Sequence, residues 1–336
     1  MKIAIDVMGG DFAPRELVLG AKQYLDEAGP AGLILVGRES DIRETLPDLP
    51  ASCEISHTAD FVEMGETPTT ALRRKKNASV AVAARLVKEG KAAAFLSAGS
   101  TGAQMAASLL EIGRIPGVER PPISVLLPTA AEHGVLVCDV GANVDCRPFH
   151  LLQFALMGSA YYEAICRIPA PKVGLLNVGS EPGKGNDLTK AAYDLLAKAP
   201  LNFVGNIEPD HMFAGEAHVV VADGFVGNIL LKTSEGVAEM IMNPLKKAIA
   251  GAGLPPEIAG RLATQLRRYQ PDAPEYSGAP LLGIAGGAIV CHGKSKARVI
   301  AHALQLATEY AKTDVIGTIT RRVAQVAGPQ AQGDAR

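Results

Sequence analysis

Tryptophan is absent from this 336-residue chain, and aromatic residues make up only 4% of it. Stacked-base and sugar-stacking platforms need aromatic faces, so neither is expected. A basic excess is also missing: 33 Lys and Arg stand against 35 Asp and Glu, for a net charge of -2. That excludes a dedicated nucleic-acid binder. Cysteine is scarce and scattered. Cys53, Cys138, Cys146, Cys166 and Cys291 form no CxxC pair, so neither a zinc knuckle nor a disulfide framework is indicated, and a reducing cytoplasm fits. No HxxxH or HxH spacing supports a metal site. No GxSxG elbow occurs and no cysteine lies beside a persuasive histidine, so a covalent nucleophile is not indicated. The P-loop GKS/T and the GxGxxG dinucleotide fingerprint are both missing. The longest uncharged stretch, 92–110, carries Ser97, Gly99, Ser100, Thr101, Gly102 and Gln104 near its middle, too polar for a membrane span. The opening residues are read as a strand and not as a signal peptide.

What is present is apolar bulk and glycine: 48% hydrophobic residues and 35 Gly. A chain of this composition has ample core and is long enough for one large or two smaller α/β domains. Strand-like segments at 2–7, 33–36, 93–96, 135–140, 173–177, 201–204 and 219–222 alternate with helix-like ones at 16–27, near 42, 101–112 and 147–165. This is the rhythm of a mostly parallel sheet with crossover helices on both faces. The region 225–269 breaks it. Val237, Ile241, Leu245 and Ile249 recur every fourth residue, and Ile258, Leu262 and Leu266 repeat the pattern after a Gly/Pro turn. Two amphipathic helices are expected there. The expected organisation is a single α/β catalytic domain over 1–326, with a helical hairpin inserted at 225–270 and a flexible tail at 327–336.

In parallel α/β sheets, ligands sit at the carboxyl ends of strands, where the Gly-rich polar clusters of this chain fall. Gly9, Gly10 and Asp11 follow the first strand. Ser97, Ser100, Thr101 and Gly102 join a strand to a helix and read either as a phosphate cradle or as a helix cap. Asp139 and Asn143 sit on a Gly turn; Asn143 is a candidate oxyanion donor, and an Asx-turn is the alternative. Asn177, Glu181, Lys184 and Asn186 share a long loop in which Lys184, flanked by glycines, is a candidate phosphate partner. Asp223 and Asn228 border another strand-end turn: Asp223 as base or orienter, Asn228 as cap or ligand contact. Among the seven His, His292 stands out, after an apolar strand and before Gly293. The run Arg73, Arg74, Lys75 and Lys76 reads as a solvated face or as a docking patch for an acidic partner. Ile249 and Leu254, between Lys246-Lys247 and Arg261, form a mildly apolar tip with basic shoulders, suited to an anionic membrane surface or to a plain hairpin turn.

Taken in order, these motifs resemble the PlsX family of phosphate acyltransferases from residue 1 to about 313. The match includes the segment 6–11 with Ala13-Pro14, then Met64, Glu66 and Pro68 before the basic run. It continues through 97–103, 139–143, 177–186, 223–228, 276–283 and His292-Gly293. Ser100 and Ser277 depart from the residues common there, Asn and Gly. The resemblance implies a three-layer α/β/α sandwich like phosphotransacetylases and isopropylmalate dehydrogenases, with a projecting helical hairpin. It implies transfer of a fatty acyl group from acyl-acyl-carrier-protein to inorganic phosphate, giving acyl phosphate for phospholipid synthesis. It further implies a homodimer with no cofactor and no metal, cytoplasmic and peripherally associated with the inner face of the membrane. An enzyme of the phosphate acetyltransferase kind acting on acetyl-CoA, and a non-catalytic acyl or nucleotide sensor, are the alternatives.

Overall fold

The computed structural model describes residues 1–326 apart from 28, 64, 132, 271–272 and 274–276. The tail 327–336, Met64 and Tyr276 therefore lie outside the described residues. In chain order the elements begin with β1 (Lys2–Asp6), α1 (Arg15–Asp26), β2 (Gly32–Gly37), α2 (Glu39–Thr45), β3 (Cys53–His57), α3 (Pro68–Arg74) and α4 (Ser79–Lys88). They continue with β4 (Ala94–Ser97), α5 (Thr101–Ala107), which runs into a wider π turn at Ser108–Ile112, then β5 (Ser124–Leu127), β6 (Val135–Cys138), α6 (Pro148–Cys166) and β7 (Lys172–Leu176). The rest are α7 (Asp187–Leu196), β8 (Asn202–Ile207), α8 (Pro209–Ala214), β9 (Val219–Val221), α9 (Gly224–Gly251), α10 (Pro256–Arg267), β10 (Ala279–Pro280), β11 (Gly287–Val290), α11 (Ala297–Lys312) and α12 (Val315–Val326).

The strands form two sheets, ordered β10-β11-β4-β1-β2-β3 and β5-β6-β9-β7-β8. Pairings are parallel except at one edge of each sheet, where β10 meets β11 and β5 meets β6 antiparallel. Strands covered on both faces read as continuous apolar runs. Accordingly, all four residues of β6 are fully buried, and so are Ile3, Ala4 and Ile5 of β1. Outside the first sheet, α1 and α11 pack on each other and bury Leu17, Val18, Ala21 and Tyr24 against Ile300 and Leu304. Outside the second, α6 is apolar on every side and buried from His150 to Tyr162, as suits a helix enclosed by its neighbours. Between the sheets one core joins Ala4, Val36 and Phe95 to Val135, Val137 and Val220, with α4 lying in it. A bridge between Ile123 and Leu281 also ties the two halves. The result is layered α/β architecture with mostly parallel sheets. The hairpin is present as α9 and α10, with none of α10 buried.

Candidate active site

Because the strands within each sheet run parallel, their carboxyl ends share an edge. The first sheet collects the loops after β1, β4 and β11 at its edge, and the second collects those after β6, β7 and β9. A cleft of about 520 Å³ touches both sets. Thr101, His292, Lys294 and Ser295 line it from the first, Gly141 and Asn228 from the second. The structure therefore brings Thr101, Asn228 and His292 to one cavity. None of the loop 177–186 lines that cleft, although it occupies the same edge of the second sheet.

Several polar residues expected to meet a ligand instead hold the loops. Ser97 is fully buried; its hydroxyl donates to Asp6 Oδ2 at 2.7 Å and accepts the Gly99 N–H at 3.0 Å. Its one proton is used, so it has none for phosphate. Burial pushes the Asp6 carboxyl above its ordinary range, against hydrogen bonds from Ser79, Ser97 and the backbone of Met8 and Gly9. Gly9 fits because a Cβ there would stand 2.7 Å from Asp6 Oδ2 and 2.8 Å from the Gly99 nitrogen. The backbone N–H of exposed Asp11 donates to the Gly293 carbonyl at 2.8 Å and joins two of the strand-end loops.

Asp139 has the same kind of duty. Its Oδ1 accepts from Ile123, Gly141 and Ala142 N–H at 3.0–3.2 Å. Its Oδ2 accepts the Asn143 N–H at 2.6 Å and the Asn143 side-chain amide at 2.9 Å. Burial raises its pKa while these bonds oppose the rise. Asn143 Nδ2 also donates to the Pro121 carbonyl at 2.9 Å, so both amide hydrogens are committed. This corrects the oxyanion expectation for Asn143: an oxyanion needs a donor, and only Oδ1, an acceptor, remains. Asp223 caps α9, its Oδ1 accepting from Phe225 and Val226 N–H at 3.0 and 2.9 Å. Through this cap Asn228, one turn into α9, is presented beside Gly141.

His292 is exposed, and its Nδ1 accepts the Lys294 N–H at 3.2 Å, which leaves Nε2 to carry the proton of the neutral ring. Cys291 lines the same cleft, but burial raises its thiol to about 12. A group held protonated in this way is a poor nucleophile. Across the second edge, Asn177 donates to the Lys184 carbonyl at 3.2 Å, Asn206 to the Glu181 carbonyl at 2.8 Å, and Asn186 caps α7. Three asparagines thus pin the loop. Lys184 itself is half exposed, its ammonium 4.0 Å from Glu181.

Of the basic run, Arg73, Arg74 and Lys76 are exposed, whereas Lys75 is tied to Glu66 at 2.6 Å and to the Phe61 carbonyl at 3.0 Å. The helix that carries the arginines, α3, packs on α5, whose first residue lines the cleft. Sequence reasoning missed Lys294 and Ser295, which also line it, as does Gly141 of the Gly turn beside Asn143. The only signal for the first two is proximity to His292.

A family model described as "Fatty acid synthesis protein" matches residues 1–318. The chain belongs to that family. Its curated relatives include the phosphate acyltransferase of Desulforamulus reducens, 48% identical with 95% of this chain and 96% of the relative covered. Another, from Moorella thermoacetica, is 50% identical over 91% of each. Solved structures share the fold at lower identity. The EutD phosphotransacetylase from Staphylococcus aureus has a TM-score of 0.62 at 18% identity, covering 93% of this chain and 94% of that one. A branched-chain phosphotransacylase from Enterococcus faecalis has a TM-score of 0.60 at 15% identity, covering 93% and 99%. This family member is an acyltransferase enzyme, and its layered fold is that of the phosphotransacetylases.

Proposed function

We propose that the cleft between the two loop sets is where an acyl group passes from a carrier-protein thioester to inorganic phosphate, giving acyl phosphate for phospholipid synthesis. The observation that carries this reading is the convergence of Thr101, His292 and Asn228 on one cavity. Phosphate is an anionic nucleophile near neutral pH and needs no enzyme-bound intermediate. What it needs is alignment, exclusion of water and donors for the developing oxyanion. The start of α5, with Ser100, Thr101 and Gly102, receives the phosphate. Lys184 adds positive charge from the edge above β7. A phosphate oxygen attacks the thioester carbon, the Asn228 amide donates to the oxyanion, and the C–S bond breaks. The proton that the attacking hydrogen phosphate loses passes to the leaving thiolate, which accepts a hydrogen bond from His292 Nε2–H.

The donor is assigned to a carrier protein because Arg73 and Arg74 lie on the last turn of α3, the helix that packs on α5, with Lys76 just after it. Acidic carriers are steered by exposed charge, and such steering weakens as salt rises. Replacing the three by Gln is expected to lower kcat/KM for acyl carrier about tenfold at low salt. Rates with acyl-CoA should stay unchanged. Equal rates for both proteins at low salt would remove the donor assignment.

The hairpin supports two further assignments. At 100° per residue, Phe225, Ile229 and Met240 share one side of α9. They are 58%, 51% and 66% exposed, a face that a second copy covers in a homodimer. The stripe of Val237, Ile241 and Leu245 borders a groove toward β5, with Val237 and Ile241 46% and 55% exposed. At the tip, half-buried Ile249 and Leu254 lie among exposed Lys246, Lys247 and Arg261. Contact with anionic lipid there is weak and peripheral, on the cytoplasmic side. Among the described residues, no helix is long and apolar enough to cross a membrane. Leu254→Glu should reduce liposome flotation while leaving dimer mass unchanged by light scattering.

A further inference from the structure

Beside the polar cleft lies a second cavity of about 710 Å³, open on one side and lined almost wholly by apolar groups. Its floor is the edge strand β5 with Val125 and Leu127, and one wall is Phe213 of α8. The other wall is the inner side of α9, with Leu231, Ile241 and Leu245. Arg268, just past α10, donates to the carbonyls of Thr129 and Ala131 at 3.2 and 2.5 Å, so the far end of the hairpin is tied to the loop that follows β5.

The two cavities adjoin. Val125, Leu231 and Glu235 line both. At the junction, Glu235 pairs with Lys232 at 2.7 Å, and beyond it the lining turns apolar. A molecule that fits both halves has a polar reacting head and a long apolar tail.

We propose that this groove is the binding site for the hydrocarbon chain of the acyl substrate. The chain enters past Val125 and Leu231 and runs along α9 toward Leu245, with the thioester carbon left in the polar cleft. The inference rests on the proposed reading of the cleft as the site of acyl transfer. It gives the apolar stripe of α9 a ligand to cover, and it makes the groove the determinant of chain length.

The experiment is a chain-length series, from butyryl to palmitoyl carrier thioesters, with phosphate, on the full-length protein. For the unmodified protein, kcat/KM is expected to rise by up to about fourfold per methylene until the groove is filled. Ala238→Phe places a ring in the groove one turn past the junction, and Leu245→Trp fills it farther along. Ala238→Phe should lower kcat/KM for palmitoyl about tenfold or more. Butyryl should be nearly unaffected. Leu245→Trp should move the cut-off to an intermediate length, so that the order of the plugs along α9 matches the order of the cut-offs. A palmitoyl-to-butyryl ratio equal to that of the unmodified protein in both variants would overturn the proposal. So would conversion of the dimer to a monomer by Ala238→Phe with that ratio unchanged, which would make the groove an interface between copies. If a variant fails to fold by circular dichroism, the unmodified series decides alone: a flat chain-length profile overturns the groove. No acyl phosphate from any chain would instead sink the reading of the cleft itself.

Discussion

The polar residues at the strand ends divide by what their hydrogens already do. Ser97, Asp139 and Asn143 spend theirs, or their lone pairs, on neighbouring loops, and Asp223 caps α9. Thr101, Asn228 and His292 face the cleft. Asn228→Ala is therefore expected to lower kcat by about 10²–10³, the usual cost of one oxyanion donor. The melting temperature should hardly change, because the residue is exposed. A loss of stability in step with activity would return Asn228 to a capping role. Because its loop does not line the cleft, Lys184 acts on phosphate only as a charge at a distance, and Lys184→Ala should weaken phosphate use a few-fold, less than the roughly one to two decades of a direct charge-assisted contact, while thioester binding is kept. An unchanged phosphate dependence would leave Lys184 as a solvated charge beside Glu181. At this scale the sequence was only half legible. It placed Ser97 and Asn143 in the right loops. Whether a hydroxyl or amide points inward depends on residues such as Asp6 and Pro121, far away in the chain.

Among the elements, α9 matters most, since it supplies Asn228, the inner wall of the groove and the exposed face of the hairpin. Its position is set where its first turn docks on the Asp139 loop. The Gly224 N–H donates to the Asn143 carbonyl at 2.8 Å, and a Cβ on Gly227 would stand 1.8 Å from the Asp139 carbonyl oxygen. That contact is with backbone and cannot be relieved by a rotamer change. Gly227→Ala should therefore destabilise the fold by about 3 kcal/mol. It should also lower activity by shifting Asn228. Wild-type stability by urea unfolding would contradict this packing. The helices of the hairpin were readable from apolar residues at every fourth position. The strands β1, β6 and β9 were readable as apolar runs. β3 was not, because it is a sheet edge whose burial is broken by Glu54 and His57. The division into two sheets was hidden too, since a buried strand has the same composition in either sheet.

In the molecule as a whole, two sheets meet over one core and their carboxyl edges share a cleft. A titratable cluster lies in the second half. His218 Nδ1 accepts the Lys172 N–H at 2.9 Å, and its ring stands 4.4 Å from that of His133. Burial, with the neighbouring His133 and Lys172, holds His218 below its ordinary value of 6.5. The unfolded chain thus binds this proton more readily than the native one. Stability from this site is full above the unfolded value and is lost as pH falls through 6.5 toward the lowered native one. The melting temperature should fall across that window. His218→Asn keeps an acceptor for Lys172 and should make the fall shallower; an equally steep fall would place the titration elsewhere.

The central claim is direct transfer to phosphate, and one assay tests it: thiol release and acyl phosphate followed together, with acyl carrier thioester, in the presence and absence of inorganic phosphate. The account predicts no thiol release without phosphate, and one acyl phosphate for each thiol released when phosphate is present. A burst of thiol in its absence, with acyl label retained on the protein, would contradict it.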